Sequence, residues 1–463
     1  MRIAVVLTLS LLLSGRARGV EKPAPIELTI HPRAIETPVL KYRLFPAEAE
    51  LKPGNAVPIL LRMPWGYTDW MSKVFPTLNE WESRPLSAPE WAASNGVLTE
   101  RLWSEMKRAA FRREARWEYP IGEAPSVSSI LLPDVAGLRR FLQYGLSARI
   151  RYHLTRGKLD AAREGILVGL ANARHLAQTP FAVNQFVALA IHQAMLERTG
   201  ELISQPNSPN LYWALSTLPQ SLVELDRAAS LQGDLFALDF PAVNELDAPR
   251  EAGDWRRMAE QLVEFLEEDV ELREQRTIPA TRYIQKWVDF ARAELKTGAG
   301  QKVAAKMSDE EVAVRWYVQQ RLALDQRAAA LVVLSPREAW PLLHRLRKDT
   351  ASFCEKAGTK EVGHFNATQL CVHAWSLKRK IASLRVIEAV RDYLAANEGR
   401  PPAKLADIRG VPVPLDPMTG EAFHWQVDGK TATLRAPSLA TAVVEPDWAT
   451  ALANTLEYRL EIK

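Results

Sequence analysis

The sequence predicts a mainly α-helical protein built from stacked antiparallel helical hairpins, with a short N-terminal β segment and a small C-terminal α+β module. Three observations lead to this prediction. Apolar residues recur at helical spacing over most of residues 61–350, with short breaks between repeats. Strict alternation of apolar and polar residues is confined to the two ends of the chain. The composition, 47% hydrophobic and 25% charged, excludes a disordered chain.

Residues 1–19 are predicted to form a cleavable signal peptide. The positively charged start Met1-Arg2 precedes an apolar run from Ile3 to Leu13, and Ala17-Arg18-Gly19 places small residues at a cleavage site. The run is shorter than the about 20 apolar residues that a membrane-spanning helix needs. We therefore expect an exported protein, periplasmic or extracellular, with no transmembrane segment in the mature chain. An uncleaved anchor or a buried first helix is the alternative.

The mature chain is expected to be nearly neutral and to contain several domains. Removal of the leader deletes three arginines and no acidic residue, so the formal charge falls from +4 to +1. This charge does not favour nucleic acid or an anionic membrane surface as a partner. The chain exceeds the usual size of one domain. The predicted divisions are a signal peptide 1–19, an extended segment 20–60, a helical-hairpin domain 61–350, a linker 351–380 and an α+β module 381–463.

The extended segment contains two period-two patterns. Residues Ile26–Ile30 and Leu40–Leu44 each alternate between apolar and polar side chains, which is typical of short, half-buried strands. A proline closes each pattern. We expect two strands here, followed by a turn at Lys52–Asn55.

Helical periodicity is clearest between residues 138 and 203. One apolar stripe begins at Leu138 and ends at Gly157, residues 159–177 form a second helix, and residues 181–203 form a third. The turn at Gly157 resembles a tetratricopeptide (TPR) repeat, in which a glycine, a large residue and an alanine hold the places of Gly157, Leu159 and Ala162. The repeat length of about 34 residues is not sustained. The resemblance therefore implies a TPR-like solenoid of hairpins without a regular TPR array.

The α+β module is predicted from a change of pattern near residue 381. A helix is expected from Ile381 to Asn397. Residues 423–427 then alternate up to Asp428-Gly429, a strong signal for a two-residue hairpin. Residues 456–463 alternate again, so we expect the helix to pack on about three antiparallel strands.

A wider resemblance covers roughly residues 40–240. The segments that carry it are Leu40-Lys-Tyr-Arg-Leu44, Pro53-Gly-Asn-Ala56, Trp117-Glu-Tyr-Pro120, Gly157-Lys-Leu-Asp-Ala-Ala-Arg163, Asn172-Ala-Arg-His-Leu176 and Pro209-Asn-Leu-Tyr-Trp-Ala-Leu215-Ser-Thr-Leu-Pro219. In this order they are similar to a family of secreted helical proteins of planctomycete bacteria that has no assigned activity. The resemblance implies a helical fold and export, and it supplies no catalytic residues.

The C-terminal segment resembles the globular part of type II secretion pseudopilins. The segments that carry this resemblance are Gly399-Arg-Pro-Pro402, Leu405-Ala-Asp-Ile408, Val413-Pro-Leu-Asp-Pro417-Met-Thr-Gly420 and the hairpin that follows. A pseudopilin has a long hydrophobic helix at the amino terminus of this unit. The helix predicted here is short, amphipathic and internal, so the resemblance implies a borrowed module and not a pilus subunit.

Cys354 and Cys371 both lie in the predicted linker. In an exported protein a disulfide between them would persist and would stabilise the fold by about 3 kcal/mol. Two unpaired thiols are the alternative. A metal site with His364 and His373 is a third interpretation, although the spacing matches no standard zinc motif.

The densest neutral polar set lies on the second and third predicted helices. Its members are Asn172, His175, Asn184, Gln185 and His192. They could line a groove or pocket for a small ligand. Hydrogen-bonded polar groups in the protein interior are the ordinary alternative.

Two further features have both a functional and a structural interpretation. Six of the 14 tryptophans lie between Trp65 and Trp117, where they could line a carbohydrate or peptide groove or pack between helices. Residues Asp416–Gly420 could help to hold a calcium ion, as some pseudopilin loops do, or could form a plain turn.

The sequence contains no motif for catalysis or for a cofactor. It has no His-Glu-x-x-His, Gly-x-Ser-x-Gly, Walker loop, EF-hand loop or Cys-x-x-Cys. We therefore assign no catalytic residue, cofactor or metal, and expect an exported binding or scaffold protein that holds a protein or peptide partner in a groove between helices. The alternatives are a cell-envelope hydrolase with a scattered active site and an accessory component of a pseudopilin-linked secretion apparatus.

Overall fold

The computed structural model describes residues 24–94, 98–124, 130, 132–248, 250–267, 280–294, 306–358, 364–439 and 456–463. Within these residues the chain is mainly helical with a small sheet, as the sequence predicts. The predicted signal peptide, residues 1–19, lies outside the described residues. None of the described helices is both long enough and apolar enough to cross a membrane.

The elements of the first half are β1 (Ile26–Ile30), β2 (Lys52–Asn55), α1 (Val57–Trp81), α2 (Pro89–Ala93), α3 (Glu100–Ala110), β3 (Arg112–Glu114), α4 (Val135–Arg139), a π-helical turn (Arg140–Gly145), α5 (Leu146–Thr155), α6 (Leu159–Ala177), α7 (Ala182–Ile203) and α8 (Tyr212–Ser216). Those of the second half are α9 (Leu225–Asp239), α10 (Ala252–Glu267), α11 (Ala280–Glu294), α12 (Asp309–Val332), α13 (Pro336–Ala357), α14 (His364–Ala396), β4 (His424–Asp428), β5 (Thr431–Arg435) and β6 (Glu457–Ile462). Short 3₁₀ turns lie at Glu48–Glu50, Pro241–Glu245 and Leu405–Asp407.

The hairpin of α6 and α7 forms the centre of the first hydrophobic core. Gly157 precedes α6 in a left-handed conformation (φ 67°), which favours glycine because it has no Cβ. Within α6, a Cβ added at Gly169 would lie 2.2 Å from the sulfur of Met195 in α7. The two helices therefore approach each other more closely than a larger residue at this position would allow.

The structure has two main hydrophobic cores, and α14 contributes to both of them. The first core joins helices α1 and α3–α7 to the inner face of the sheet, and the second lies among α9–α13. Near the start of α14, Cys371 and Trp375 belong to the second core. Further along α14, Val386, Val390 and Leu394 belong to the first.

The predicted linker, residues 351–380, is helical along most of its described length. Helix α13 continues to Ala357 and α14 begins at His364, well before the predicted start at Ile381. No glycine or proline interrupts residues 364–396, so a single helix of 33 residues forms. A continuous shared helix thus stands where the sequence suggested a domain boundary.

The C-terminal module recruits a fourth strand from the other end of the chain. The sheet has the order β1-β6-β5-β4, in which β4, β5 and β6 are antiparallel, as expected. Strand β1 pairs with β6 in parallel, with Ile26 opposite Tyr458 and Ile30 opposite Ile462. The predicted division of residues 20–60 from residues 381–463 therefore does not describe this part of the fold.

The second predicted strand, Leu40–Leu44, is not a strand. This segment bends around the carboxylate of Glu36, which accepts hydrogen bonds from Lys41 Nζ (2.6 Å) and the Tyr42 hydroxyl (3.0 Å). The predicted turn at Lys52–Asn55 instead forms β2, paired in parallel with β3. The alternation of apolar and polar residues predicted a strand here, but it carries no information about the contacts with Glu36 that bend the segment.

Candidate functional site

The five polar residues singled out in the sequence are all buried, and their side chains contact different neighbours. Asn172 Nδ2 donates to the carbonyl of Met106 in α3 (3.0 Å) and to that of Val168 one turn earlier (2.9 Å). Asn184 Nδ2 donates to the hydroxyl of Tyr119 (3.2 Å). Each amide thus joins its helix to a different segment of the chain.

Gln185 and His192 both contact the segment that leads into α9. Gln185 Nε2 donates to the carbonyl of Thr179 (2.8 Å) and, at 3.4 Å, to that of Glu224. His192 Nε2 lies 3.1 Å from the carbonyl oxygen of Leu222. These contacts satisfy backbone carbonyls in the interior, which favours the structural interpretation over a ligand pocket.

Both histidines of the set are held in the neutral form. Burial lowers the pKa of His192 to about 4. Burial, together with the positive charge of Arg174, also lowers the pKa of His175 to about 4. His192 faces the segment before α9, whereas His175 lies near the backbone at Ala109 and Ala110. The two imidazoles therefore do not form a catalytic pair.

Most of the tryptophan-rich segment serves packing. Trp91 and Trp103 are buried, and Trp117 is half-buried, with its Nε1 donating to the carbonyl of His175 (2.8 Å). Among the tryptophans of this segment whose side chains are described, only Trp65 is exposed, at 83%.

Trp65 lies at a bend in α1. Pro64 stands inside the helix and Tyr67 has non-helical dihedral angles (φ −138°, ψ 16°), so the helix is kinked between its two halves. A Cβ added at the neighbouring Gly66 would meet no atom within 4 Å. The bend thus holds a large aromatic side chain on an open surface. Exposed tryptophans of this kind are common anchors of protein interfaces.

The predicted disulfide between Cys354 and Cys371 is not present. The two residues lie in α13 and α14 as buried thiols of the second core. Burial raises the pKa of the Cys371 thiol to about 12, which makes it unreactive at neutral pH. As for a metal site, the described residues include no group of three or more His, Cys, Asp or Glu side chains that could hold an ion. The side chain of His364 lies outside the described part.

The carboxylate of Asp416, a candidate calcium ligand in the sequence, is bound by a guanidinium. Arg379 donates to it through Nε (2.9 Å) and Nη2 (2.5 Å), and both side chains are almost fully buried. The same carboxylate accepts hydrogen bonds from the Met418 amide (3.2 Å) and the Thr419 hydroxyl (3.0 Å). An arginine thus supplies the positive charge of this turn, which favours the plain-turn interpretation.

A cluster of charged side chains that the sequence analysis did not single out joins the end of α1 to α5, α7 and α14. We call it the charged cluster, and its members are Arg151, Arg198, Lys380, Glu82, Glu197 and Glu201. Glu201 accepts a hydrogen bond from Arg151 Nη2 (2.5 Å) and forms an ion pair with Arg198, whose Nε lies 3.2 Å away. The only hint in the sequence is the spacing of Glu197, Arg198 and Glu201 on one helix. The partners on other helices have no signal in the sequence.

Two carboxylates of the charged cluster share one guanidinium and titrate differently. Arg198 Nη1 lies 3.5 Å from Glu82 and Nη2 lies 3.8 Å from Glu197. Burial raises the pKa of Glu82 despite the attraction of Arg198. Burial also acts to raise the pKa of Glu197, but Lys380 and Arg198 outweigh it and the net pKa is lowered. The charged cluster therefore contains one carboxyl group with a raised pKa, that of Glu82, and one with a lowered pKa, that of Glu197.

Comparison with protein-family models, with curated proteins and with solved structures finds no match for this chain. Its functional interpretation therefore rests on its own residues and their contacts.

Proposed function

We propose that this chain is an exported binding or scaffold protein that holds a protein or peptide partner on the surface of its helical hairpins. The observation that carries the proposal is the exposure of Trp65 at the bend of α1. Hot spots of protein interfaces are enriched in tryptophan, because its large rigid surface loses little conformational entropy on binding. A TPR-like arrangement of hairpins would provide a concave surface beside it.

The polar interior is consistent with this proposal. Three of the candidates for a small-molecule pocket, Asn172, Gln185 and His192, make hydrogen bonds to the backbone of neighbouring elements. The amide of Asn184 donates to the hydroxyl of Tyr119 instead. Their contacts stabilise the protein interior, so we assign recognition of the partner to residues on the surface.

Substitution of Trp65 tests the proposal. Immobilised wild-type protein is expected to retain a reproducible set of partners from the exported fraction of the source cells, and Trp65→Ala is expected to lose them. Leu415→Ala is the matched control, because Leu415 is also an exposed large apolar residue (57%) but lies in the C-terminal module. The absence of any reproducible partner, or equal capture by Trp65→Ala, would contradict the proposal.

The resemblance to pseudopilins remains part of the proposal as a borrowed module. A helix followed by three antiparallel strands supports it. Two features differ from a pilus subunit. Helix α14 is embedded in both cores, and β1 adds a strand from the distant N-terminal segment. These features suit a unit fixed within a larger protein.

A cell-envelope hydrolase is the second candidate function, and the unlike carboxyls Glu82 and Glu197 favour it. Paired carboxyl groups whose environments separate their pKa values can serve as acid and base in hydrolysis. Glu82→Gln would then abolish release of soluble fragments from purified cell-wall polymer and leave the fold intact, as judged by circular dichroism. A structural role predicts lowered stability of the variant and no activity in the wild type.

A further inference from the structure

Strand β4 forms the open edge of the four-stranded sheet, and its outward backbone groups can be identified. The amide of Ile462 in β6 donates to the carbonyl of Lys430, so residues 430, 432 and 434 point their backbone groups towards β6. Residues 431, 433 and 435 therefore point towards β4. Their partners in β4 are Asp428, Gln426 and His424, whose backbone groups point towards β5. The N–H and C=O groups of Trp425 and Val427 are therefore directed to the free edge.

Within the part of the chain that the structure describes, no other strand or backbone group pairs with this edge. His424, Gln426 and Asp428 are exposed on the solvent face, and Trp425 and Val427 are half-buried on the inner face. An exposed edge strand is a template for pairing with a further strand.

The five residues of β4 complement their own sequence when two copies run antiparallel. With Gln426 opposite Gln426 of a second copy, His424 stands opposite Asp428 of that copy, and Trp425 stands opposite Val427. This register brings the outward groups of Trp425 and Val427 together, so four backbone hydrogen bonds can form. It also places each histidine beside a carboxylate and each indole beside a branched apolar side chain, which are favourable cross-strand pairs.

We propose that two copies of this chain associate through antiparallel pairing of their β4 strands, which joins their sheets into one sheet of eight strands. The two-fold axis passes between the two Gln426 side chains. This interface goes beyond the proposed partner-binding function, because it uses the C-terminal module and not the bend of α1. The match of His424 with Asp428 is what favours a second copy over an unrelated peptide.

The association is expected to be weak, since two five-residue strands cover less surface than a stable dimer buries. Sedimentation equilibrium of the purified full chain should show a reversible monomer–dimer equilibrium, with a dissociation constant on the order of 100 µM. If the protein remains monomeric at all concentrations from about 10 to 500 µM, the proposal is wrong. This outcome would mean that other parts of the chain cover the edge or that the edge binds a different partner.

Gln426→Lys tests the position of the two-fold axis. Two lysines would face each other across the axis, so we expect the dissociation constant to rise by roughly tenfold. Thr29→Lys is the matched control, because Thr29 lies on the solvent face of β1 at the opposite edge of the same sheet. An unchanged equilibrium in Gln426→Lys, or an equal loss in Thr29→Lys, would show that the dimer uses another surface.

Opposite charges at residue 424 test the register. His424→Lys places a fixed positive charge opposite Asp428 of the partner copy and should tighten the dimer several-fold. His424→Asp should weaken it by a similar factor, because two carboxylates then face each other. Within one chain, residue 424 stands opposite Arg435, so an effect inside the monomer would favour His424→Asp over His424→Lys. If His424→Asp dimerises more tightly than His424→Lys, the proposed register is wrong.

Discussion

Two buried arginines make contacts that hold distant segments together. Arg379 binds Asp416 and the carbonyl of Pro437. Arg391 binds Glu388, with both side chains fully buried. Buried charges are tolerated when their hydrogen-bonding groups are matched in this way, and removal of one partner leaves the other uncompensated.

Asp416→Asn is expected to destabilise the protein by about 3–5 kcal/mol, because the guanidinium of Arg379 then lacks its countercharge in the interior. Urea denaturation followed by circular dichroism measures the change. Glu398→Gln is the control, since its pair with Arg400 is highly exposed (84% and 76%) and should matter little. A rise of the wild-type melting temperature with added Ca²⁺ would instead support the calcium interpretation of this turn.

The neutral histidines predict a loss of stability in mild acid. The folded pKa of His192 is about 4, whereas an unfolded histidine has a pKa of about 6.5. Between these values the unfolded state binds more protons, so the free energy of unfolding falls as the pH falls. His192→Gln removes one such group, and its loss of stability from pH 7 to pH 5 should be smaller than that of the wild type by about 2 kcal/mol. Urea denaturation at pH 7 and at pH 5 measures this loss for both proteins. If the wild type and His192→Gln lose the same free energy of unfolding, the assignment of a neutral His192 is wrong.

Residue types were easier to predict than residue partners. The sequence drew attention to Asn172, Gln185 and His192 because polar side chains stand out on apolar helices. Their partners are backbone carbonyls of other elements, and these have no signature in the sequence. The charged cluster was missed for the same reason, since Arg151 and Lys380 are far from Glu201 and Glu197 in the chain.

Among the elements, those determined by local pattern were predicted well. Helices α6 and α7 were predicted almost to the residue, because their periodicity is strong and a glycine precedes α6. The hairpin of β4 and β5 follows from Asp428-Gly429. The start of α14 was misplaced because Cys371 and Trp375 were read as part of a linker, whereas a second core buries them.

Gly169→Ala tests the close contact of α6 with α7. The new methyl group would collide with the Met195 side chain, so we expect a loss of about 1–3 kcal/mol in the free energy of unfolding. Gly253→Ala in α10 is the control, because no atom lies within 4 Å of its added Cβ. In a Met195→Ala background the cost of Gly169→Ala should shrink. An equal cost in both backgrounds would place the strain elsewhere.

At the scale of the whole molecule, Arg391 joins three segments that are remote in the sequence. Its guanidinium donates to the carbonyls of His31 (3.1 Å), Ser208 (2.9 Å) and Pro209 (3.2 Å). The N-terminal segment is thereby attached to α14 and to the loop before α8. Periodicity could not predict this closure, because the contacts span up to 360 residues.

Arg391→Met is expected to loosen these segments together. Glu388 would lose its countercharge and three carbonyls would lose their donor, so amide hydrogen exchange should accelerate at least about tenfold in residues 26–36 and 204–211. Arg459→Met is the control, because Arg459 in β6 pairs with Glu27 in β1 and both side chains are exposed, so this pair should contribute little. Faster exchange in only one of the two segments would contradict the common anchor.

The pairing of β1 with β6 also determines when the fold can be completed during synthesis. Thr29 and Glu461, which contact each other across these strands, are 432 residues apart in the chain. A ribosome that adds about 5–20 residues per second makes the second strand roughly 20–90 s after the first. Until then β1 has no partner strand and the first core lacks one side of its sheet. The sheet therefore cannot be completed until residues 457–462 have been synthesised, however early the helices of the first core form.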